Sequence, residues 1–132
     1  MTLVRSKCYP GRIAFSNIYY FEPIQINVVQ SGNYTLSSVD NHLDGIRSYL
    51  YKEHFNEFFP YERLIAHNSD GCPNDEFKII TELQSSVTYI LIMMPRYSHL
   101  VKKISIVVFG PNNITFNPIS KSNIELIFSS FD

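Results

Sequence analysis

The stretch Ile24-Gln25-Ile26-Asn27-Val28-Val29, followed by Gln30-Ser31-Gly32-Asn33 and then Tyr34-Thr35-Leu36-Ser37, decides the fold class. Ile24, Ile26 and Val28 point one way while Gln25 and Asn27 point the other, which is the period of a half-buried strand and not of a helix. Tyr34 and Leu36 alternate in the same way after a cluster of turn residues, so the passage predicts two antiparallel strands joined as a hairpin.

Working outward, the same chemistry recurs. Further strands are predicted at Ile46 to Tyr51, Leu64 to Ala66, Phe77 to Leu83, Ile104 to Val108 and Ile114 to Asn117. The nearly continuous apolar run Val87 to Met94 predicts a strand that is central or covered on both faces. Turn signals at Ser31-Gly32, Asp44-Gly45, Asp70-Gly71 and Gly110-Pro111 separate these runs. Alanine occurs only at Ala14 and Ala66, whereas aromatic and β-branched residues are frequent, again strand chemistry. Lys52 to Phe58 has room for a turn or two of helix, or is a structured loop, before Pro60 closes it. Ile124 to Phe128 reads as a further strand, a linker or a frayed end.

The reading is therefore an all-β, antiparallel β-sandwich in a single domain. Residues 1–17 form an N-terminal arm, 18–118 the sandwich, and 119–132 a C-terminal strand or linker. The expected core is Ile24, Ile26, Tyr34, Leu36, Leu50, Phe77, Ile79, Tyr89, Leu91, Ile104 and Ile106. With 132 residues, 45% of them hydrophobic, the chain is long enough to bury about two-thirds of its surface. A formal net charge of -1 supplies no basic field for phosphate backbones, so nucleic acid is not an expected partner. No run of eighteen apolar residues and no hydrophobic leader is seen, so membrane insertion is not expected, and an exported form would be a piece of a longer protein.

The order of motifs carries a resemblance: a strand, a Ser-Gly turn with Tyr34-Thr35-Leu36, Tyr49-Leu50-Tyr51, a long loop into Leu64-Ile65, an Asn/Asp/Gly-rich loop, Thr88-Tyr89-Ile90-Leu91, then Ile104-Ser105-Ile106 closing on Phe109-Gly110-Pro111. Over about two-thirds of the chain this resembles the bacterial pre-peptidase C-terminal-like domains and their relatives in animal extracellular multidomain proteins. The resemblance implies a jelly-roll-like β-sandwich that acts as a non-catalytic accessory module, often secreted and linked to other domains, and sometimes holding calcium in acidic loops. The chain departs from the family where a Gly-Asp-x-Asp segment is usual; here the stretch reads Val39-Asp40-Asn41-His42-Leu43-Asp44-Gly45.

Calcium takes six to eight oxygen ligands, and the loop after Ala66 offers Asn68, Asp70, Asn74 and Asp75, with Glu76 beside them and Asp40 and Asp44 as outside contributors. Those same residue types also form turns without any metal. Cys8 and Cys72 either form a disulfide, which would contribute ~3–4 kcal/mol, or are two free thiols, export favouring the bridge. Their spacing has no zinc logic.

No Gly-x-Ser-x-Gly elbow or glycine-rich phosphate loop occurs. His42, His54, His67 and His99 follow no ligand spacing and are placed in loops. Asn33-Tyr34-Thr35 and Asn113-Ile114-Thr115 fit the glycosylation pattern, relevant only in a secretory pathway. Alternation puts Tyr49 and Tyr51 opposite Leu50 on an outer face, where they are candidate ligand contacts, while Phe58-Phe59-Pro60 is read as a plug at one end of the sandwich. The functional expectation is an extracellular adhesion, spacer or binding module that contacts carbohydrate or an extracellular protein and is calcium-stabilised if the loop holds metal; a small hydrolase or lyase on the same sandwich is the alternative.

Overall fold

A computed structural model of the chain describes residues 22–38, 47–68, 78–94, 103–119 and 125–131. These form nine strands: β1 (Glu22–Val28), β2 (Gly32–Ser38), β3 (Arg47–Lys52), β4 (Leu64–Asn68), β5 (Lys78–Leu83), β6 (Thr88–Met94), β7 (Lys103–Phe109), β8 (Ile114–Pro118) and β9 (Glu125–Phe131). No helix occurs among the described residues, and Lys52 to Phe58 is the end of β3 followed by a turn-rich loop.

Sheet A has the order β4-β3-β6-β1-β8 and sheet B the order β5-β2-β7-β9. All pairs are antiparallel except β7 with β9, which is parallel. The pairs β1·β8, β2·β7 and β3·β6 are nested, as in a long antiparallel ribbon rolled across two sheets, so the sandwich is jelly-roll-like.

The expected β1–β2 hairpin does not form. The two strands lie in different sheets, and Val29 to Ser31 is a corner between layers. Turn residues serve a corner as well as a hairpin, and only long-range pairing distinguishes them. β1 pairs instead with β6 and β8, matching Ile24 with Leu91 and Val28 with Ile114.

The core between the sheets follows the alternation. Ile24, Ile26 and Val28 of β1 meet Leu50, Tyr89, Leu91 and Met93 of the same sheet and Tyr34, Leu36, Ile79, Leu83, Ile106 and Val108 of the other. Phe77 lies outside the described residues, and Ile104 stands in β7. At the upper end of this core Gly110 passes over the buried Tyr34, whose hydroxyl donates to the Gln30 carbonyl at 2.6 Å. A Cβ on Gly110 would fall 2.1 Å from the tyrosine ring, so the close approach needs glycine.

The uninterrupted apolar run of β6 has a plain cause. Tyr89, Leu91 and Met93 face the interior, and Ile90, Ile92 and Met94 enter a second cluster on the outer face of sheet A with Tyr49 and Tyr51. Of the stretch Ile124 to Phe128, residues 125–128 belong to β9, which extends the sandwich to Phe131, while Ile124 lies outside the described residues.

Candidate functional site

The second cluster directs attention to the connection between β3 and β4. These strands form an antiparallel hairpin, and residues 53–63 fold back over its outer face. The loop is closed at its neck: Lys52 N donates to Arg63 O at 3.0 Å and Glu53 N to Thr88 O at 2.7 Å. Compact loops with adjoining ends and internal packing of this kind are frequently functional.

Its interior follows from local sequence. Asn56 opens a turn closed by Phe59 N to Asn56 O at 3.0 Å, and its side chain accepts from Phe58 N at 2.9 Å, the reason asparagine favours a turn's first position. Phe59 opens the next turn, closed by Glu62 N to Phe59 O at 3.0 Å, with Pro60 second, where its fixed φ is suited. Tyr51 fastens the loop to the sheet through its hydroxyl, 2.6 Å from Pro60 O, and its ring meets Phe55 at a centroid distance of 4.8 Å.

Both hinges are strained. Glu53 has φ of 72° and Arg63 φ of 68°, left-handed positions that a residue with a Cβ occupies at a cost of order 1–3 kcal/mol. At Glu53 the bond from His54 N to Lys52 O makes a tight three-residue turn of the rare positive-φ kind. The two side chains form an exposed ion pair, whose contribution to stability is small. The strain is held by the sheet beneath and by Tyr51, and such retained strain points to a functional constraint.

The outcome is a surface unlike the one expected. Tyr49 and Tyr51 do lie on the outer face, but they are 1% and 0% exposed, covered as part of the second cluster, so they present no ring to a ligand. Phe58-Phe59-Pro60 plugs nothing: Phe58 is 80% exposed, Phe59 61% and Tyr61 54%. Two successive turns carry these side chains away from the sheet, where the three stay largely exposed. Alternation predicts which face a strand residue takes and says nothing of what covers that face.

Beside the loop is a cleft of about 550 Å³. Ile90 and Pro23 belong to the sheet beneath it, Glu53 to Phe58 form one side, and Ile119 borders the other. The adjoining outer face of β1 and β8 is polar. Gln25 stands beside Ile90 and opposite Asn117, and Asn27 beside Thr88 and opposite Thr115. Gln25 Nε2 donates to Asn27 Oδ1 at 3.4 Å.

His67 belongs to β4 and not to a loop, because β4 continues past Ala66 to pair with β3. Paired with Tyr49, it takes the outer face; burial pushes its pKa below the usual histidine value, and Nδ1 has no hydrogen-bond partner among the described residues. Ser48 is fully buried on the opposite, inner face, so the sheet separates that hydroxyl from this imidazole. Burial also raises the Tyr51 pKa, with further contributions from Tyr49 and Tyr61.

Of the expected calcium ligands, Asn68 ends β4, while Asp70, Asn74 and Asp75 lie outside the described residues, as do Cys8, Cys72, Asp40, Asp44, His42 and His99. Among the described residues no three acidic, histidine or cysteine side chains converge as a metal site. No helix among them is long and apolar enough to cross a membrane.

Compared with known proteins, the chain matches no family model, and no curated protein or solved structure matches it significantly.

Proposed function

We propose that the chain is a non-catalytic binding module whose contact element is the 53–63 loop with the cleft at its base. One observation carries the reading: Phe58, Phe59 and Tyr61 are held in solvent on a loop closed at its neck, fastened by Tyr51 and strained at both hinges. A sequence that exposes three large aromatic side chains together, while burying Tyr51 to fix the loop, gives up burial that would stabilise it by about 1.5–3 kcal/mol per side chain. Exposed apolar patches of this kind mark sites of contact. Aromatic side chains on a rigid support are the usual anchors of such contacts, since little rotamer freedom is lost on binding.

The partner class within this proposal is carbohydrate or an extracellular protein. An extracellular setting, attachment to further domains and calcium at the 68–76 loop are supported by the resemblance to pre-peptidase C-terminal-like domains and by the oxygen donors of that loop.

The test compares the wild-type domain with a Phe58→Ala/Phe59→Ala variant on an array carrying glycans and extracellular proteins. Retention on a target that the variant loses, with thermal unfolding unchanged, supports the loop as the contact element. Equal retention of both proteins, or none on any target, rejects it.

A further inference from the structure

Resting on that reading, we infer that the cleft between the 53–58 segment and β1/β8 takes a neutral glycan. A sugar ring offers an apolar C–H face on one side and a rim of hydroxyls, each both donor and acceptor, around it. The cleft offers the complement of both. Its apolar surfaces are Pro23, Ile90 and Ile119, with the exposed Phe58 ring at one side. Asn56 is among its polar lining residues, and on the sheet face beside it, further along the strands from Pro23 and Ile119, Gln25 and Asn117 stand directly opposite one another, followed by Asn27 and Thr115. Amide side chains present a donor and an acceptor within one group, which is what alternating hydroxyls require. Gln25 and Asn27 alternate with Ile24, Ile26 and Val28, and Thr115 and Asn117 alternate with Ile114 and Phe116, so all four share the outer face with Ile90.

The volume, about 550 Å³, falls in the ordinary range of small-ligand sites and admits a short oligosaccharide segment. Charge selects among glycans. Among the described residues Glu53 and Glu57 line the cleft and no lysine or arginine does, while the nearby Arg63 is paired with Glu53. A sulfated, phosphorylated or uronate-rich chain would bring anions against Glu53 and Glu57, with no lysine or arginine among the described lining residues to receive them, so like charges are rejected while hydroxyls are accepted. The same charge pattern disfavours the headgroups of anionic lipids.

The experiment is an amide-resolved NMR titration of the labelled domain with neutral cello-, chito-, manno- and galacto-oligosaccharides at millimolar concentration, with heparin fragments as the anionic arm. The expected result is saturable shifts at the side-chain amides of Gln25, Asn27 and Asn117 and the backbone of His54 to Phe58 for at least one neutral series, with none for heparin. Phe58→Ala, which removes an exposed ring, and Gln25→Ala should each weaken that binding about tenfold. Shifts for heparin, shifts confined to another surface, binding indifferent to both variants, or no shift with any sugar overturn the inference. If sugars fail while a protein on the array is still lost by Phe58→Ala/Phe59→Ala, the glycan is wrong and the contact loop stands; if both fail, so does the loop.

Discussion

Replacing Tyr51 by phenylalanine separates the loop's fastening from its packing. The ring is fully buried and meets Phe55, and phenylalanine keeps both features. What disappears is the 2.6 Å bond to the Pro60 carbonyl. A neutral hydrogen bond is worth about 0.5–1.5 kcal/mol net, and an abandoned buried acceptor costs more. Pro60 is only half-buried, so water can reach its carbonyl, and the expected loss is about 1 kcal/mol, read from the midpoint of urea unfolding at unchanged slope. Within the native state, exchange of the Phe59 and Glu62 amides, which close the two loop turns, should accelerate about fivefold while that of β6 does not beyond the global change. The pH dependence supplies an independent check. The Tyr51 pKa in the folded protein lies above the unfolded value of about 10, so above that pH the unfolded chain releases its proton first and stability contributed at lower pH is lost. Phenylalanine has no such proton, and the gap between variant and wild type should narrow in alkali. A variant as stable as wild type with unaltered exchange at 59 and 62 would refute the fastening; a loss above about 3 kcal/mol would mean that the ring itself had moved.

Three further outcomes follow from the packing. Leu91→Ala, in the central strand between Ile24 and Leu50, should cost about 2–5 kcal/mol in urea unfolding, and a midpoint close to wild type would place β6 at the periphery. Gly110→Ala should cost about 1–3 kcal/mol through its collision with Tyr34, and in a Tyr34→Ala background most of that cost should vanish; additive effects would show that the glycine acts otherwise. His67 has a folded pKa below its unfolded value of about 6.5, so it contributes stability above that pH which is lost as pH falls towards the folded value; His67→Gln should lose less stability than wild type between about pH 7 and pH 5, and parallel profiles would count against its burial.

Much of the strand set was legible because period-two alternation is a local signal. Ile24 and Ile26, Tyr34 and Leu36, and Leu91 all enter the core by the parity read from sequence. Partnership is not local, so the corner at Val29 to Ser31 read as a hairpin, and the parallel union of β7 with β9 had no signature at all. The site was half legible. The concentration of aromatics between Tyr49 and Tyr61 stood out, yet their exposures came out reversed: Tyr49 and Tyr51 are buried in the second cluster, Tyr51 beneath a loop folding back on its own strands, while Phe58, Phe59 and Tyr61 are exposed. Asn56 and Pro60, each at the turn position it prefers, were the available sign that Phe58 and Phe59 sit at tips.

The nested pairing also governs the order in which the molecule can assemble. Closing a chain segment costs entropy that rises with its length, so the β3·β4 pair, joining Tyr51 to Leu64, is far easier to make than β1·β8, joining Val28 to Ile114, until the inner pairs have shortened the distance. Sandwiches with such distant partners fold on the order of milliseconds to seconds, and the slow step expected here is the rolling of the outer pairs around the inner ones. The 53–63 loop lies inside the shortest closure of the described set. Substitutions at its tips can therefore change what the surface touches without touching the contacts that limit the folding rate, and the face is free to diversify on a scaffold that goes on folding as before.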